Sequence, residues 1–190
     1  VLDIGSGPGG IAIPLSFVCK EVTALDHPDV LAILKKRCSG IRNLQFHDGS
    51  FLETELVEKY DKVIVYSVLH YLEDSHEVVE FILKAISMLK KGGGALFGDI
   101  PNSSKKNRFS ESNFGKSFIR EWNLMQPIRA ESFDLEKDKK MVAFDDAMIL
   151  SLINEIRSKG FHAYVLPQSP ILPFGHTRED ILVIHPDGGR

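Results

Sequence analysis

The chain opens with Val1-Leu2-Asp3-Ile4-Gly5-Ser6-Gly7-Pro8-Gly9-Gly10, the stretch that decides its fold. We predict a short apolar strand that runs into a glycine-rich turn and then into an apolar segment. Gly5, Gly7 and Gly10 satisfy the spacing G-x-G-x-x-G, which is typical of turns that hold a nucleotide-type cofactor. Glycine-rich turns also occur for purely steric reasons, so this spacing alone is not specific.

Asp3, two residues before the first glycine, narrows the choice of cofactor. A carboxylate at a strand tip repels a pyrophosphate and attracts a cationic ligand. S-adenosylmethionine (SAM) has no phosphate and carries an ammonium and a sulfonium. The pattern D-x-G-x-G-x-G at Asp3, Gly5, Gly7 and Gly9 resembles the first motif of the class I SAM-dependent methyltransferases. This resemblance favours SAM over NAD.

Length and composition indicate one globular domain. The 190 residues are 43% hydrophobic and 26% charged, and no apolar run is long enough to span a membrane. The net charge of −3 gives no reason to expect nucleic-acid binding. Two cysteines are too few for a disulfide framework, so we expect a reduced, cytoplasmic setting. Because Val1 already lies in a predicted buried strand, we also expect a missing upstream segment.

Apolar, β-rich runs alternate with helical patterns, which indicates a doubly wound α/β sheet. Strands are predicted at 1–4, 21–25, 43–46, 62–66, 95–99, 161–166 and 180–185. Helices are predicted at roughly 10–19, 28–38, 75–89, 112–122 and 145–159, the third ending at Lys90-Lys91-Gly92. This order resembles the Rossmann-like methyltransferase sheet, mostly parallel with seven strands and an antiparallel last strand. We expect a single domain over residues 1–190, with an insertion over 100–144 that forms a lid.

Candidate cofactor residues follow the strands, because ligands of open α/β sheets bind outside the carboxyl ends of the strands. Asp26 ends the second strand, where it can accept hydrogen bonds from both ribose hydroxyls; the alternative is a cap for the helix that Pro28 begins. The resemblance implies that Asp48 accepts from the adenine amine, or that a backbone amide near Gly49 recognises adenine instead, although Asp-Gly is also a turn signal. It further implies that backbone oxygens near Ser67 support the sulfonium.

Candidate catalytic residues end the next two strands. The segment Tyr66–Leu72 is similar to one found in small-molecule methyltransferases, and its His70 is either a general base or a residue that packs against the cofactor. Asp99 ends the fifth strand and can hold a substrate hydroxyl, with a turn or cap as the alternative. No metal-ligand spacing is present in the sequence.

Two later segments are expected at the same edge of the sheet. Three cations follow the fifth strand and either meet an anionic group such as a diphosphate or remain solvated: Lys105, Lys106 and Arg108. The proline-rich loop over 167–178 contributes His176 and Arg178. Segments 98–102 and 172–180 look similar to methyltransferases of bacterial surface-polysaccharide clusters, which suggests a sugar substrate.

The resemblance implies a SAM-dependent methyltransferase that moves a methyl group to an oxygen or nitrogen of a small molecule, such as a sugar or nucleotide sugar, and releases S-adenosylhomocysteine (SAH). The expected partner is this small-molecule acceptor, with neither nucleic acid nor membrane. One alternative is an NAD-dependent oxidoreductase, which Asp3 and the paired terminal strands disfavour. Another is a non-catalytic SAM-binding domain.

Overall fold

The computed structural model describes residues 1–125, 142–172 and 174–187. Seven strands are found there: β1 (Leu2–Ile4), β2 (Val22–Asp26), β3 (Leu44–Asp48), β4 (Tyr60–Tyr66), β5 (Leu89–Pro101), β6 (His162–Pro167) and β7 (Arg178–Ile184). They form one sheet of order β3-β2-β1-β4-β5-β7-β6. The strands β1 to β5 pair in parallel, whereas β7 is antiparallel to both β5 and β6. The predicted mostly parallel, doubly wound sheet is confirmed.

Helices connect the strands and cover both faces of the sheet. They are α1 (Ala12–Ser16), α2 (Pro28–Arg37), α3 (Ser75–Ser87), α4 (Ser103–Glu111), α5 (Asn113–Met125) and α6 (Asp146–Ser158), with a 3₁₀ turn at Leu69–Tyr71. Several helices begin where a side chain satisfies otherwise unpaired amides. Asp74 accepts from the N–H groups of His76 and Glu77, and Asp145 accepts from that of Met148.

Two apolar clusters lie on opposite faces of the sheet. The larger joins α3 and α6 to β1, β4, β5 and β7, and the smaller joins α1 and α2 to β2 and β3. Side chains alternate between faces along a strand. Leu2 and Ile4 therefore belong to the larger cluster, while Asp3, between them, faces the side of α1 and α2. The carboxylate thus lies under the glycine turn and not in the larger core.

The start of β5 differs from the prediction. The structure ends α3 at Ser87 and begins β5 at Leu89, so Gly92, which was expected to stop the helix, lies inside the strand. A Cβ at Gly93 would lie 2.8 Å from the carbonyl oxygen of Lys90 and 3.0 Å from that of Asp61. Glycine is required there by close backbone packing, which gives the same sequence signal as a helix stop.

The predicted lid region contains two helices in place of one. α4 was missed because its polar sequence has no apolar period. Its N-cap is Asn102, whose side chain accepts from the N–H of Lys105. α5 corresponds to the helix predicted near 112–122. Residues 126–141 of the expected lid over 100–144 lie outside the described residues. None of the helices in the described ranges has the length and apolar character needed to cross a bilayer.

Candidate active site

The glycine turn after β1 is tied to the end of β2 by its backbone amides. The N–H groups of Gly5 and Ser6 donate to the carbonyl oxygen of Leu25, at 2.8 and 3.2 Å. Gly5 has a φ of 73°, and a Cβ there would lie 2.3 Å from Cγ2 of Val68. The turn therefore takes a left-handed backbone and a close approach that only glycine allows.

The packing around Gly9 and Gly10 distinguishes the dinucleotide motif from the methyltransferase motif, both of which fit this sequence. Gly9 has a φ of 92°, and a Cβ there would lie 2.3 Å from Cδ1 of Leu34 and 2.8 Å from Cδ1 of Ile13. A Cβ at Gly10 would meet no atom within 4 Å. In the dinucleotide motif the third glycine, here Gly10, allows close helix packing. Here Gly9 has that role, as the D-x-G-x-G-x-G pattern requires.

Asp26 connects this turn to the start of α2. Its Oδ2 accepts from the N–H of Gly7 at 2.8 Å, and its Oδ1 accepts from the N–H of His27 at 2.7 Å. His27 is the N-cap residue of α2 and forms no capping hydrogen bond with its side chain. Asp26 therefore does not cap the helix in the usual way, which binds the N2 or N3 amide. It holds the turn and keeps lone pairs for a ligand.

A cavity of about 620 Å³ opens at the carboxyl ends of β1 to β4. Its volume lies in the range of small-molecule sites. We call it the cofactor cavity. Of the predicted cofactor residues, it is lined by Gly5, Gly7, Asp26, Gly49 and Ser67. Asp3 and Gly9 do not line the cavity, but they belong to the glycine turn and the strand that support its wall.

Asp48 does not lie at the position expected for a residue that binds adenine. It is the last residue of β3, its side chain is exposed, and its Oδ1 lies 3.3 Å from Nζ of Lys35. It does not line the cofactor cavity, whereas Gly49, Ser50 and Phe51 do. The backbone after β3 and the Phe51 ring, not the Asp48 carboxylate, are therefore at the wall that an adenine would contact.

Asp3 is a buried carboxyl with an unusual pKa. Burial, and then the negative charge of Asp26, raise its pKa from 3.8 to about 7, while the N–H of Ala12 acts in the opposite direction. Its Oδ2 is buried without a hydrogen-bond partner among the described residues. Two carboxylates near the cavity, one of them incompletely satisfied, fit a cationic ligand better than a pyrophosphate.

A hydrogen bond joins the ends of β4 and β5, and a half-buried ion pair with Arg178 engages the same carboxylate. Ser67 and Asp99 both have a φ of 62°, which is uncommon for residues other than glycine. The hydroxyl of Ser67 donates to Oδ2 of Asp99 at 2.7 Å, and Nη1 of Arg178 lies 2.6 Å from the same oxygen. Asp99 lines none of the cavities described here. Its carboxylate is engaged in holding Ser67 at the cavity wall.

Further hydrogen bonds connect Asp99 to Asp180, Gln168 and Tyr66. Asp180 accepts at Oδ1 from the N–H of Asp99 and from the Gln168 amide, both at 2.9 Å. The same amide lies 3.4 Å from the Tyr66 hydroxyl. Burial raises the pKa of Tyr66, and the charges of Asp99 and Asp180 add to this. The sequence carried no signal for this network, because its members are separated by up to 102 positions.

A second cavity of about 630 Å³ lies beyond the end of β5. We call it the acceptor cavity. Its wall includes His70, which is buried, and Tyr71, whose ring centroid lies 4.2 Å from that of His70. Tyr71 lines the cofactor cavity as well, so the two cavities are adjacent. Of the described residues, no cluster of histidine, cysteine and carboxylate side chains could hold a metal ion.

Sequence comparison agrees with this geometry. A family model described as a methyltransferase domain matches residues 1–93. Nodulation protein S from Sinorhizobium fredii (strain NBRC 101917 / NGR234) is 26% identical over 98 residues, which are 51% of this chain and 45% of that protein. By these matches the first half of the chain is similar to the class I SAM-dependent methyltransferases. It spans less than half the length of the curated relative that it matches.

Solved structures show that this fold extends beyond the matched half. The N-methyltransferase NodS from Bradyrhizobium japonicum WM9, in complex with SAH, aligns with a TM-score of 0.65 and 18% identity over 97% of this chain and 76% of that one. Magnesium protoporphyrin IX methyltransferase from Synechocystis PCC 6803, with bound SAH, aligns with a TM-score of 0.62 and 14% identity over 97% and 73%. At these identities the likeness concerns the fold.

The candidate site thus contains some predicted residues and others that were missed. Sequence analysis identified the residues that follow β1 and β2, and it placed His70 at the edge of the acceptor cavity. It assigned no ligand-binding role to Tyr71, although Tyr71 lines both cavities. It also missed Phe144 and Thr177, which line the acceptor cavity from distant parts of the chain.

Proposed function

We propose that this chain binds SAM in the cofactor cavity and transfers its methyl group to an oxygen or nitrogen of a small molecule in the acceptor cavity. The observation that carries the proposal is the turn after β1. Gly9, and not Gly10, is the glycine that packing requires, and Asp3 and Asp26 lie beside the cavity. The related structures that contain SAH support the same ligand.

Each part of the cofactor has a matching group in this proposal. Asp26 accepts from the ribose hydroxyls with the lone pairs that Gly7 and His27 leave available. Backbone groups at Gly49 and Ser50 bind the adenine edge, and Phe51 covers its ring. Backbone oxygens near Ser67 face the sulfonium. Asp3, with a pKa of about 7, favours the cationic end of the ligand when its carboxyl is ionised.

Positioning supplies most of the rate acceleration in this proposal. SAM, when bound, supplies a methyl group that its sulfonium already activates. The chain holds the acceptor in line with that methyl and excludes water, which are large effects when geometry is fixed. Tyr71 lies between the two cavities and orients both ligands.

His70 is the group that can take a proton from the acceptor. It lines the acceptor cavity, and a neutral hydroxyl acceptor needs such a base while a neutral amine does not. Asp99, which the sequence suggested as a second catalytic residue, is better described as a positioning residue for Ser67. We further propose that residues 1–190 act as one domain and that 100–144 covers the acceptor. A sugar or nucleotide sugar is one acceptor class that the sequence favours.

Thermal unfolding with cofactors tests this proposal. The full chain is heated with SAM, SAH, NAD or NADP, each at about 100 times its expected dissociation constant. A ligand at that concentration stabilises the folded state by about 2.7 kcal/mol. We expect a clear rise in Tm with SAM and SAH and none with NAD or NADP. A rise with NAD alone would instead support the oxidoreductase alternative.

A further inference from the structure

A third, smaller cavity lies between α4, α5 and the loop before β7. Its volume is about 140 Å³, and its wall is largely aromatic: Phe109, Phe118, Trp122, Phe174 and His176, with Ile119 beside them. The Phe109 and His176 rings stack at 4.7 Å, and the Phe118 and Trp122 rings at 6.2 Å. We call this cavity the aromatic pocket. Such a wall binds apolar groups, and it offers ring faces and edges to another ring.

The aromatic pocket is continuous with the site already described. Lys106, Phe174 and Thr177 line both it and the acceptor cavity. The acceptor cavity in turn shares Tyr71 with the cofactor cavity. A molecule whose reacting atom lies near Tyr71 can therefore extend past Lys106 and place its far end in the aromatic pocket.

The charges around the acceptor cavity favour an acid. Its wall contains Lys106 and Arg178 and, among the described residues, no carboxylate. Arg178 is paired with Asp99. Lys106 has no ion-pair partner in the described parts of the chain, and its ammonium is available at the wall that the two cavities share.

The other two cations of this segment are already engaged. Nζ of Lys105 donates to the carbonyl oxygen of Arg178 at 2.6 Å, and Arg108 pairs with Asp146. The sequence suggested three cations that could meet an anionic group. Lys106 is therefore the one of the three whose ammonium is available for such a contact.

We propose that the methyl acceptor is a small aromatic acid, with its ring in the aromatic pocket and its carboxylate or phosphate beside Lys106. This inference rests on the proposed function, since it assigns the substrate class of the same site. A cavity of about 150 Å³ holds one benzene ring, so the pocket has room for a single ring. The atom that accepts the methyl group then lies towards His70 and Tyr71.

Trp122 makes the pocket directly observable. It is the only tryptophan of the chain, so its fluorescence reports on ligands that enter the aromatic pocket. The full chain, saturated with SAH, is titrated with phenylacetate, benzyl alcohol, hexanoate and acetate. We expect phenylacetate to bind most tightly, benzyl alcohol and hexanoate less tightly, and acetate not at all. Tighter binding of hexanoate than of phenylacetate would overturn the assignment of a ring.

Two pairs of variants test whether phenylacetate binds in the aromatic pocket and beside Lys106. Ser110 lines the aromatic pocket, so Ser110→Leu should fill it and weaken phenylacetate at least about tenfold. The same change at exposed Ser117, which does not line the pocket, should have no effect. Lys106→Gln should weaken phenylacetate about two- to fivefold and leave benzyl alcohol unchanged. Lys116→Gln, an exposed lysine of α5, is its control.

The outcomes separate this inference from the proposed function. SAH binding without a saturable phenylacetate signal would overturn the aromatic-acid acceptor and leave the methyltransferase proposal intact. Absence of SAH binding would contradict the proposed function itself. Phenylacetate binding that Ser110→Leu does not weaken would place the probe outside the pocket and overturn the inference, and an unchanged affinity in Lys106→Gln would overturn its anionic part. The free phosphate monoester phenyl phosphate, titrated in parallel, distinguishes a phosphate from a carboxylate.

Discussion

The cofactor cavity and the acceptor cavity are nearly equal in volume, about 620 and 630 Å³, but they are built in different ways. The segments that directly follow β1 to β4 form most of the first, together with Val30 of α2 and Phe81 of α3. Side chains from segments far apart in sequence form the second: 70–71, 101–106, 142–144 and 174–178. Cofactor binding is thus specified locally, by a few residues with required conformations. In the proposed function, acceptor specificity follows from how distant segments pack together.

The two cavities meet at Tyr71 and at the pair formed by Ser67 and Asp99. Ser67 lines the cofactor cavity, and Arg178, which lines the acceptor cavity, holds Asp99 from the other side. Changes at this junction should affect both ligands, whereas changes elsewhere should affect one. The predictions below test this division, beginning with the largest expected effect.

Alanine at Gly9 should be far more damaging than alanine at Gly10. At Gly9 a Cβ overlaps Leu34 and Ile13 and the backbone is left-handed, so we expect a loss of about 3–5 kcal/mol in the free energy of unfolding. At Gly10 a Cβ meets open space, so the change should stay within about 0.5 kcal/mol. Urea unfolding of both variants measures the difference. Equal losses would show that the turn does not follow the methyltransferase pattern.

Asp3 should make the folded state less stable as the pH rises. Its pKa of about 7 in the folded chain lies above its ordinary value of 3.8, so the folded state retains a proton that the unfolded state has lost. The contribution of Asp3 therefore falls between about pH 4 and pH 7 and levels off above. We expect Asp3→Asn to be more stable than the wild type by about 2–4 kcal/mol at pH 8, with little difference at pH 4.

Urea unfolding at a series of pH values measures the effect of Asp3→Asn, and Asp61→Asn is the control. Asp61 is exposed, and its hydrogen bond with Lys90 lowers its pKa, so its contribution is lost as the pH falls and not as it rises. A wild-type curve parallel to that of Asp3→Asn across this range would show that Asp3 is not a buried, protonated carboxyl.

Asp99→Asn should act through position and not through proton transfer. The Asp99 side chain is only 14% exposed and is paired with Arg178, so we expect a loss of about 1–3 kcal/mol in the free energy of unfolding. SAH should bind about two- to tenfold more weakly, and Ser67→Ala should match that loss of affinity because it removes the same link. The pH profile of kcat should keep its shape.

A general base at Asp99 predicts a different result. Turnover would then fall on the order of 10²–10⁴-fold and lose one limb of its pH profile, while SAH affinity stayed intact. Single-turnover methyl transfer over a range of pH values, measured with an aromatic acid that the chain accepts, separates the two cases.

Asp48→Asn should have the smallest effect of the series. Its ion pair with Lys35 is exposed on both sides and is worth less than about 1 kcal/mol. Because its side chain does not line the cofactor cavity, SAH affinity should change less than about twofold. A large loss of affinity in calorimetry would restore Asp48 as the residue that binds adenine.

The cofactor half of the site could be predicted because its signals are local. Asp3, the glycine spacing and Asp26 at the end of β2 lie within 26 residues, and each has a role that its own backbone position determines. The sheet followed from apolar runs and turn signals in the same way. Even here, sequence placed Asp48 after β3 when it is the last residue of the strand, and its side chain pairs with α2.

The acceptor half could not be predicted because its contacts are distant. α4 carries no apolar period and is held in part by Asn102, whose amide donates to Asp146 and Glu179, 44 and 77 positions away. Asp99 was expected to hold a substrate hydroxyl because it ends a strand at the edge of the sheet where ligands bind. Its partner Arg178 is 79 positions further along the chain, and only the antiparallel pairing of β5 with β7 brings them together.

The most direct test of the account is the affinity of SAH for Asp26→Asn, measured by calorimetry beside the wild type and Asp48→Asn. Asp26 lies at the wall of the cofactor cavity and is the group assigned to the ribose. The account predicts that Asp26→Asn loses about 1.5–3 kcal/mol of SAH binding free energy. The wild type and Asp48→Asn should bind SAH with the same affinity. Equal SAH affinity in all three proteins, or SAH binding in none of them, would contradict it.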